Sequence, residues 1–172
     1  MSDLKAKVKN NPDTFCNPVN ISYQYQRGFR GRESADPTVI MFKNEYYLFA
    51  SRGSGYWWSA DLTDWHFIFA ADGAFDTEKY APTACAIGNA LYLTHSENGS
   101  VYKTTDPKSG QWEYTGHPAH WNDPALFADD DGRVYCYYGC SDNEPIYVLE
   151  LDPKNNLQAP CAYPCRHGFP RL

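Results

Sequence analysis

Short runs of alternating apolar and polar residues dominate the chain, and helical periodicity is nearly absent. Runs such as TVIMF, EYYLFAS and ALYLTHS are bounded by the turn signals that separate β-strands. Residues 3–10 alone have a pattern that fits a short, marginal helix. The pattern therefore predicts an all-β protein built from many short strands.

Three segments of the chain share one order of features. They carry Pro37, Pro82 and Pro124, at spacings of 45 and 42 residues. After each proline come an apolar strand, a turn, an aromatic strand, a polar loop and a third strand. In the first two segments Trp65 or Trp112 then opens a fourth strand. Four strands in about 40–45 residues is the sequence form of a β-propeller blade, and a sandwich would not repeat this order.

The repeat also divides the chain. It predicts an N-terminal segment and pocket loop, a propeller region with three blades, and an irregular tail: residues 1–30, 31–158 (blades at about 36–70, 81–115 and 123–157) and 159–172. A closed propeller needs at least four blades. We therefore expect an incomplete propeller: a fragment, a truncated gene product, or a chain whose reading frame was lost near Ala159. Open blade edges favour self-association.

The composition of the chain limits the classes of partner that it is expected to bind. A net charge of −6, with no basic cluster beyond Lys5, Lys7 and Lys9, argues against nucleic acid. No apolar run is long enough to span a membrane, and the N-terminus lacks an apolar signal core. The chain is predicted to be soluble, with both a cytoplasmic and a secreted or periplasmic location open. Fourteen Tyr, nine Phe and five Trp fit a β core, and they leave sugar stacking open.

Cysteine spacing raises the question of a zinc site. Cys136/Cys140 and Cys161/Cys165 share a C-x3-C spacing, with His167 close by. However, Cys136 and Cys140 lie at even separation in the strand-like run YCYYGC, which predicts that both are small buried hydrophobic residues on one face. We favour structural or free thiols over zinc.

The acidic run ADDDGRVY suggests a calcium loop at first sight. An EF-hand loop has Gly at its sixth position and Glu at its twelfth. Here Gly132 comes too early, and the twelfth residue from Asp129 is Cys140. Asp131-Gly132 is instead predicted to be a tight hairpin turn, with Asp129 and Asp130 exposed to solvent. We predict no metal and no cofactor.

Asp36 and Asp123 occupy the same repeat position, and Ala81 takes that position in the middle blade. The first strand of each propeller blade lines the central channel, so residues at matching positions converge around the axis. An Asp before Pro also caps turns in many proteins. A functional carboxylate pair at the channel rim and a purely structural turn both remain open on this evidence.

Five pieces carry a resemblance to a known family: ADPTVI, FKNEYYLFAS, GYWWSADLTDW, YAPTACAIGNALYLTHS and WNDPALFADDDGRVYCYYG. Together they resemble glycoside hydrolase family 43, over about residues 16–157. The resemblance implies about three of five propeller blades, and cleavage of arabinosyl, xylosyl or galactosyl linkages. It also implies that Asp36 is the general base and that Asp123 orients the general acid and tunes its pKa. The family's acid, a Glu one blade further on, has no match in the chain.

The missing match has a chemical consequence. Inverting glycosidases hold base and acid roughly 6.5–9.5 Å apart, and the acid protonates the leaving oxygen. We therefore expect the isolated chain to be inactive or nearly so. The alternatives are a non-catalytic glycan-binding propeller and an interaction scaffold; the carboxylate pair argues against the scaffold.

Candidate substrate-binding residues surround the proposed carboxylates. Trp57 and Trp58 are adjacent in a strand and face opposite sides, so we expect one in the core and one at the pocket. Trp121 is predicted at the pocket mouth, and Tyr80 at the rim. Arg32 is predicted to bind sugar hydroxyls, with a solvated loop as the alternative. The expected partner is a plant-type oligo- or polysaccharide.

Overall fold

The computed structural model describes residues 35–97, 99–140 and 145–159, together with Ile21. Within these residues the regular structure is β-strand, apart from two single 3-10 turns, Pro107–Ser109 and Pro153–Asn155. Eleven strands form three separate antiparallel sheets. The all-β prediction is confirmed.

In each sheet every strand pairs with the next one along the chain. The strands of the first sheet are β1 (Thr38–Phe42), β2 (Glu45–Phe49), β3 (Gly55–Ser59) and β4 (His66–Phe69). The strands of the second are β5 (Thr83–Ile87), β6 (Ala90–Thr94), β7 (Val101–Thr104) and β8 (Glu113–Gly116). The strands of the third are β9 (Ala125–Ala128), β10 (Val134–Tyr138) and β11 (Tyr147–Leu151). We call these sheets blades 1, 2 and 3.

The turns between the first two strands of each blade lie where the sequence predicts them. Lys43 and Asn44 both have a left-handed φ, of 52° and 62°, as a type I′ hairpin requires. In blade 3 the left-handed residue is Gly132, with φ of 85°, and its N–H donates to Asp129 O at 3.0 Å. The acidic run is therefore a hairpin turn, as predicted.

The three blades pack side by side through their first strands. Strand β5 contacts both β1 and β9, and Leu126 N–H donates to the Thr83 hydroxyl across the second junction at 3.0 Å. One apolar cluster fills the space between blades 1 and 2, and another fills the space between blades 2 and 3. Both faces of the middle blade are thus covered by its neighbours, which is the packing of consecutive propeller blades.

At the two outer faces of this arrangement large apolar side chains are exposed. Val39 and Met41 lie on β1, and Phe127 and Tyr137 lie on the third blade. The predicted self-association would bury these faces, and it stays a prediction.

The cysteines correct one expectation. Cys85 and Cys136 are buried, and burial raises the pKa of both thiols to about 12. Cys140 is exposed, so the prediction that it is buried beside Cys136 is wrong. Strand β10 ends at Tyr138, and Gly139 turns the chain with φ of 126° before the alternation reaches Cys140. Cys16, Cys161 and Cys165 lie outside the described residues.

Metal binding and membrane insertion are two further functions to consider for the described ranges. No group of three or more His, Cys, Asp or Glu side chains there is arranged to hold a metal ion. In the same residues no helix has the length and apolar character needed to cross a membrane.

Candidate active site

Each blade starts with the same unusual backbone conformation. Asp36, Ala81 and Asp123 directly precede a proline and have left-handed φ values of 51°, 43° and 44°. This region is uncommon for residues other than glycine, and Asp adopts it more readily than Ala. Because Ala81 adopts it too, the conformation belongs to the repeat. The side chain at this position can therefore change while the main chain stays the same.

Hydrogen bonds connect the start of blade 1 to the start of blade 2. Ser51 follows β2, and its hydroxyl donates to Asp36 Oδ2 at 2.8 Å. The Ser51 hydroxyl oxygen also accepts from Ala81 N–H at 2.9 Å. The Ser51 N–H also donates to Ala35 O at 2.9 Å, which ties the end of β2 to the residue just before Asp36.

The same pattern connects blade 2 to blade 3. Ser96 follows β6, and its hydroxyl accepts from Asp123 N–H at 2.9 Å. Its own N–H donates to Tyr80 O at 2.8 Å, just before Ala81. The two serines therefore place Asp36, Ala81 and Asp123 along one edge of the three blades. Both aspartates are exposed there, while Ala81 is buried between them.

A polar rim lies beside Ala81 on this edge. Tyr80 is 42% exposed, and its hydroxyl accepts from Arg52 Nη1 at 3.2 Å, with the guanidinium 5.5 Å from its ring centre. Arg52 also pairs with Glu78 at 3.5 Å. Sequence reasoning missed Arg52. The signal that could have found it is its place directly after Ser51, in the loop between β2 and β3.

A cavity of about 190 Å³ opens next to this rim. Its wall combines Ser54, from the loop between β2 and β3, with residues 70–78 of the connection from blade 1 to blade 2. Glu78 belongs to both the cavity wall and the ion pair with Arg52. The edge that carries the two aspartates therefore also offers concave polar surface.

Comparisons with known proteins identify the family. No curated protein sequence matches the chain. The family model described as glycosyl hydrolases family 43 matches residues 29–161. The chain belongs to glycosyl hydrolase family 43. The resemblance drawn from the sequence motifs is thereby confirmed.

Solved structures share the fold of this family 43 chain. An α-L-arabinofuranosidase from Clostridium thermocellum is 21% identical with a TM-score of 0.58, and the match covers 72% of this chain and 53% of that one. An α-L-arabinanase from Cellvibrio cellulosa, complexed with arabinohexaose, is 20% identical with a TM-score of 0.56, covering 74% and 51%. A family 43 subgroup 12 protein from a capybara gut metagenome is 22% identical with a TM-score of 0.60, covering 84% and 32%.

At these identities the likeness concerns the fold. The chain spans about half the length of the arabinofuranosidase and the arabinanase. Its blades are thus part of a family 43 propeller, and the predicted fold class is confirmed.

Two of the predicted sugar-stacking tryptophans lie in the core of the family 43 chain. Trp57 is 3% exposed and packs edge-on against Phe67 in a cluster with Trp65. Trp121 is 1% exposed, and its indole N–H donates to His95 O at 3.2 Å. The predicted stacking of a sugar on Trp57 or Trp121 does not fit this placement, because neither ring presents a face to solvent.

The third tryptophan, Trp58, is more exposed, but its ring contacts other side chains of the same chain. Trp58 stacks on His66 with ring centres 4.7 Å apart, and Lys108 Nζ lies 3.8 Å from its ring centre. It also lies toward the end of β3, at the sheet edge opposite the one where β1 begins beside Asp36. A place at the pocket does not fit Trp58 either. Tyr80 is exposed beside Ala81, and its role at a sugar site stays a prediction; Arg32 is outside the described residues.

His95 lies beneath the edge that carries the aspartates. Its ring is 5% exposed and stacks on Phe75 with centres 5.5 Å apart. Burial lowers the pKa of His95 to about 4, against the opposing pull of the Asp76 carboxylate; the charge of Lys79 lowers it further. At neutral pH His95 is therefore a neutral packing residue.

The depressed pKa of His95 predicts acid sensitivity. Below pH 6.5 the unfolded chain binds a proton that the folded chain takes up only near pH 4, so stability falls as pH falls through this window. The full loss is about 3 kcal/mol in the free energy of unfolding. Urea unfolding at several pH values measures it. The pH slope is expected to shrink in His95→Phe and to persist in His117→Gln, whose side chain is exposed. Equal slopes in wild type and His95→Phe would contradict the assignment.

Proposed function

We propose that this chain supplies the base side of an inverting glycoside hydrolase that acts on arabinose-containing glycans. The observation that carries the proposal is the pair of exposed aspartates at equivalent blade starts, linked by serine hydrogen bonds, in a family 43 chain. The similarity to an α-L-arabinofuranosidase and an α-L-arabinanase supports arabinosyl linkages as the substrate class.

In this proposal Asp36 is the general base. Ser51 holds its Oδ2, and the carboxylate is exposed, so Oδ1 is available to accept a proton from the attacking water. Asp123 lies beyond Ala81 on the same edge and acts on the acid. Its negative charge favours the protonated form of a neighbouring carboxyl, which a proton donor near neutral pH requires.

The sugar is proposed to lie along the rim and toward the adjacent cavity. Tyr80 offers an exposed ring and a hydroxyl, and Arg52 offers guanidinium donors beside it. Arg32 keeps its proposed role with sugar hydroxyls. Donors and acceptors of this kind bind sugar hydroxyl groups, while the aromatic ring covers an apolar face of the sugar.

The general acid is proposed to lie outside these residues, because no residue of the chain matches the family's Glu. A natural glycosidic bond needs a proton on its leaving oxygen, whereas 4-nitrophenolate leaves without one. The chain alone should therefore leave natural linkages intact, and the residual activity expected of it is slow cleavage of activated aryl glycosides.

The test is to incubate the 172-residue chain with 4-nitrophenyl α-L-arabinofuranoside and with linear arabino-oligosaccharides. We expect slow release of 4-nitrophenol, with the sugar first formed in the inverted anomeric configuration, and no cleavage of the oligosaccharides. Proton NMR during early turnover measures the configuration, and chromatography measures the oligosaccharides.

Two results would contradict the proposal. Release of the sugar with retained anomeric configuration would contradict the inverting mechanism. Saturable binding of arabino-oligosaccharides without any release of 4-nitrophenol would favour the alternative of a glycan-binding propeller. The matching xyloside and galactoside test the sugar, since faster release from either one would overturn the arabinosyl assignment.

A further inference from the structure

Ser51 is a buried hydroxyl at the junction of blades 1 and 2. It is 1% exposed, and its oxygen makes two hydrogen bonds, one from Ala81 N–H at 2.9 Å and one to Asp36 Oδ2 at 2.8 Å. These bonds span 30 and 15 residues of sequence. The hydroxyl thus connects the backbone of one blade start to the carboxylate of another.

The direction of the Ser51 proton follows from its partners. A hydroxyl has one proton to donate and two lone pairs to accept with, whereas a backbone N–H only donates. The Ala81 N–H therefore occupies a lone pair of Ser51, and the hydroxyl proton points to Asp36. A hydrogen bond to an ionised carboxylate is among the stronger ones, and a partner that polarises the donor strengthens it further.

The equivalent positions in the other blades lack this bond to a carboxylate. Ser96 accepts the N–H of Asp123 in the same way, but the residue that corresponds to Asp36 in its own blade is Ala81, which has no acceptor. In blade 3 the serine position is Gly139, which has no hydroxyl to offer Asp123. The arrangement therefore distinguishes Asp36 from Asp123 at otherwise matching positions.

We propose that Ser51 is a positioning residue for Asp36: it fixes one carboxylate oxygen and so directs the other at the attacking water. The catalytic part of this inference rests on the proposed function of Asp36. Without the bond, an exposed carboxylate is expected to sample several rotamers, and a misplacement of about 1 Å can cost about 100-fold in rate.

The first measurement does not depend on activity. Three-bond couplings between Hα and the two Hβ protons of Asp36 report its χ1 rotamer in the folded chain. We expect one rotamer in wild type and averaged couplings in Ser51→Ala and Ser51→Cys. The cysteine variant fills nearly the same space with a weak donor, so it keeps the packing if alanine does not. A single rotamer in both variants would overturn the inference.

The second measurement uses 4-nitrophenyl α-L-arabinofuranoside. Both Ser51 variants are expected to lower kcat about 10–100-fold with KM within about twofold of wild type. The matched control is Thr83→Val, which removes another buried hydroxyl that accepts an N–H across a blade junction but touches no carboxylate. It should lower Tm like Ser51→Ala while keeping kcat and the single Asp36 rotamer.

The outcomes separate the two proposals. Equal losses of kcat in Thr83→Val and Ser51→Ala would overturn the positioning role, because both would then reflect blade packing. Averaged Asp36 couplings in the Ser51 variants of a chain with no turnover would support the positioning of the carboxylate and overturn the proposed function instead.

Discussion

An Asp36→Asn chain is expected to release 4-nitrophenol from the arabinofuranoside about 10²–10⁴-fold more slowly than wild type, with little change in KM. The carboxamide has nearly the same size, and its oxygen can still accept the Ser51 hydroxyl bond, so the blade start keeps its shape. An amide cannot take a proton from water at neutral pH, and this is the step that the proposal gives to Asp36. Steady-state kinetics at saturating substrate measures the loss.

The matched control is a second exposed aspartate of the same chain. Asp131 lies in the β9–β10 hairpin, away from the blade starts, and pairs with Arg133 at 2.7 Å. Asp131→Asn should leave kcat unchanged. If the Asp36→Asn and Asp131→Asn chains turn over at the same rate as wild type, Asp36 is not the base.

Trp121→Ala is expected to lower the free energy of unfolding by about 3–5 kcal/mol, a large part of the stability of a typical domain. The indole is enclosed between blades 2 and 3, in a cluster with Val101, Val134 and Leu151. Its removal leaves a cavity. It also leaves His95 O without the hydrogen bond that it accepts from the indole, at a position where water has no access. Urea unfolding followed by circular dichroism measures the change.

Tyr114→Ala provides the comparison for that measurement. Tyr114 is also aromatic and lies on blade 2, but it is 57% exposed and packs mainly edge-on against Tyr102. Its loss should cost no more than about 1 kcal/mol. A Trp121→Ala chain with wild-type stability and weakened binding of arabino-oligosaccharides would instead return Trp121 to the substrate site.

The strand pattern was predictable because it depends on local chemistry. Turn residues such as Lys43-Asn44 and Asp131-Gly132 specify their own backbone conformation, and they separate alternating runs whose pairing then follows along the chain. The repeat of this pattern was enough to predict blades. The family resemblance then assigned roles to Asp36 and Asp123, which alternation by itself could not do.

The burial of the tryptophans was not predictable in the same way. Alternation shows that Trp57 and Trp58 face opposite sides of β3, and they do: Trp57 packs in the cluster with Trp65, and Trp58 packs against the cluster between blades 1 and 2. Pocket placement assumes that one face of the sheet is open. Here Trp58 faces the core between blades 1 and 2, while Trp57 lies on the outer face of blade 1, where Trp65, Phe67 and Ile21 pack around its ring.

The hydrogen bonds of the two serines could not be predicted from the sequence, for a different reason. Ser51 reaches Asp36 and Ala81 only because the end of β2 returns to the edge where β1 and β5 begin. Nothing local to the run FASRG marks its serine as more than a loop residue. The repeat offers the one usable signal, since Ser96 recurs at the matching place.

The left-handed backbone at the blade starts has a consequence for the evolution of such a chain. At Ala81 and Asp123 a serine after the second strand of the preceding blade accepts the backbone N–H. Duplicating a blade therefore copies a backbone position that can carry an acid, together with the strands. A change from Ala to Asp at position 81 would alter the charge pattern along this edge on the same backbone, at the cost of placing a carboxylate where Ala81 is buried. Chemical asymmetry can thus arise on a symmetric scaffold through single codons.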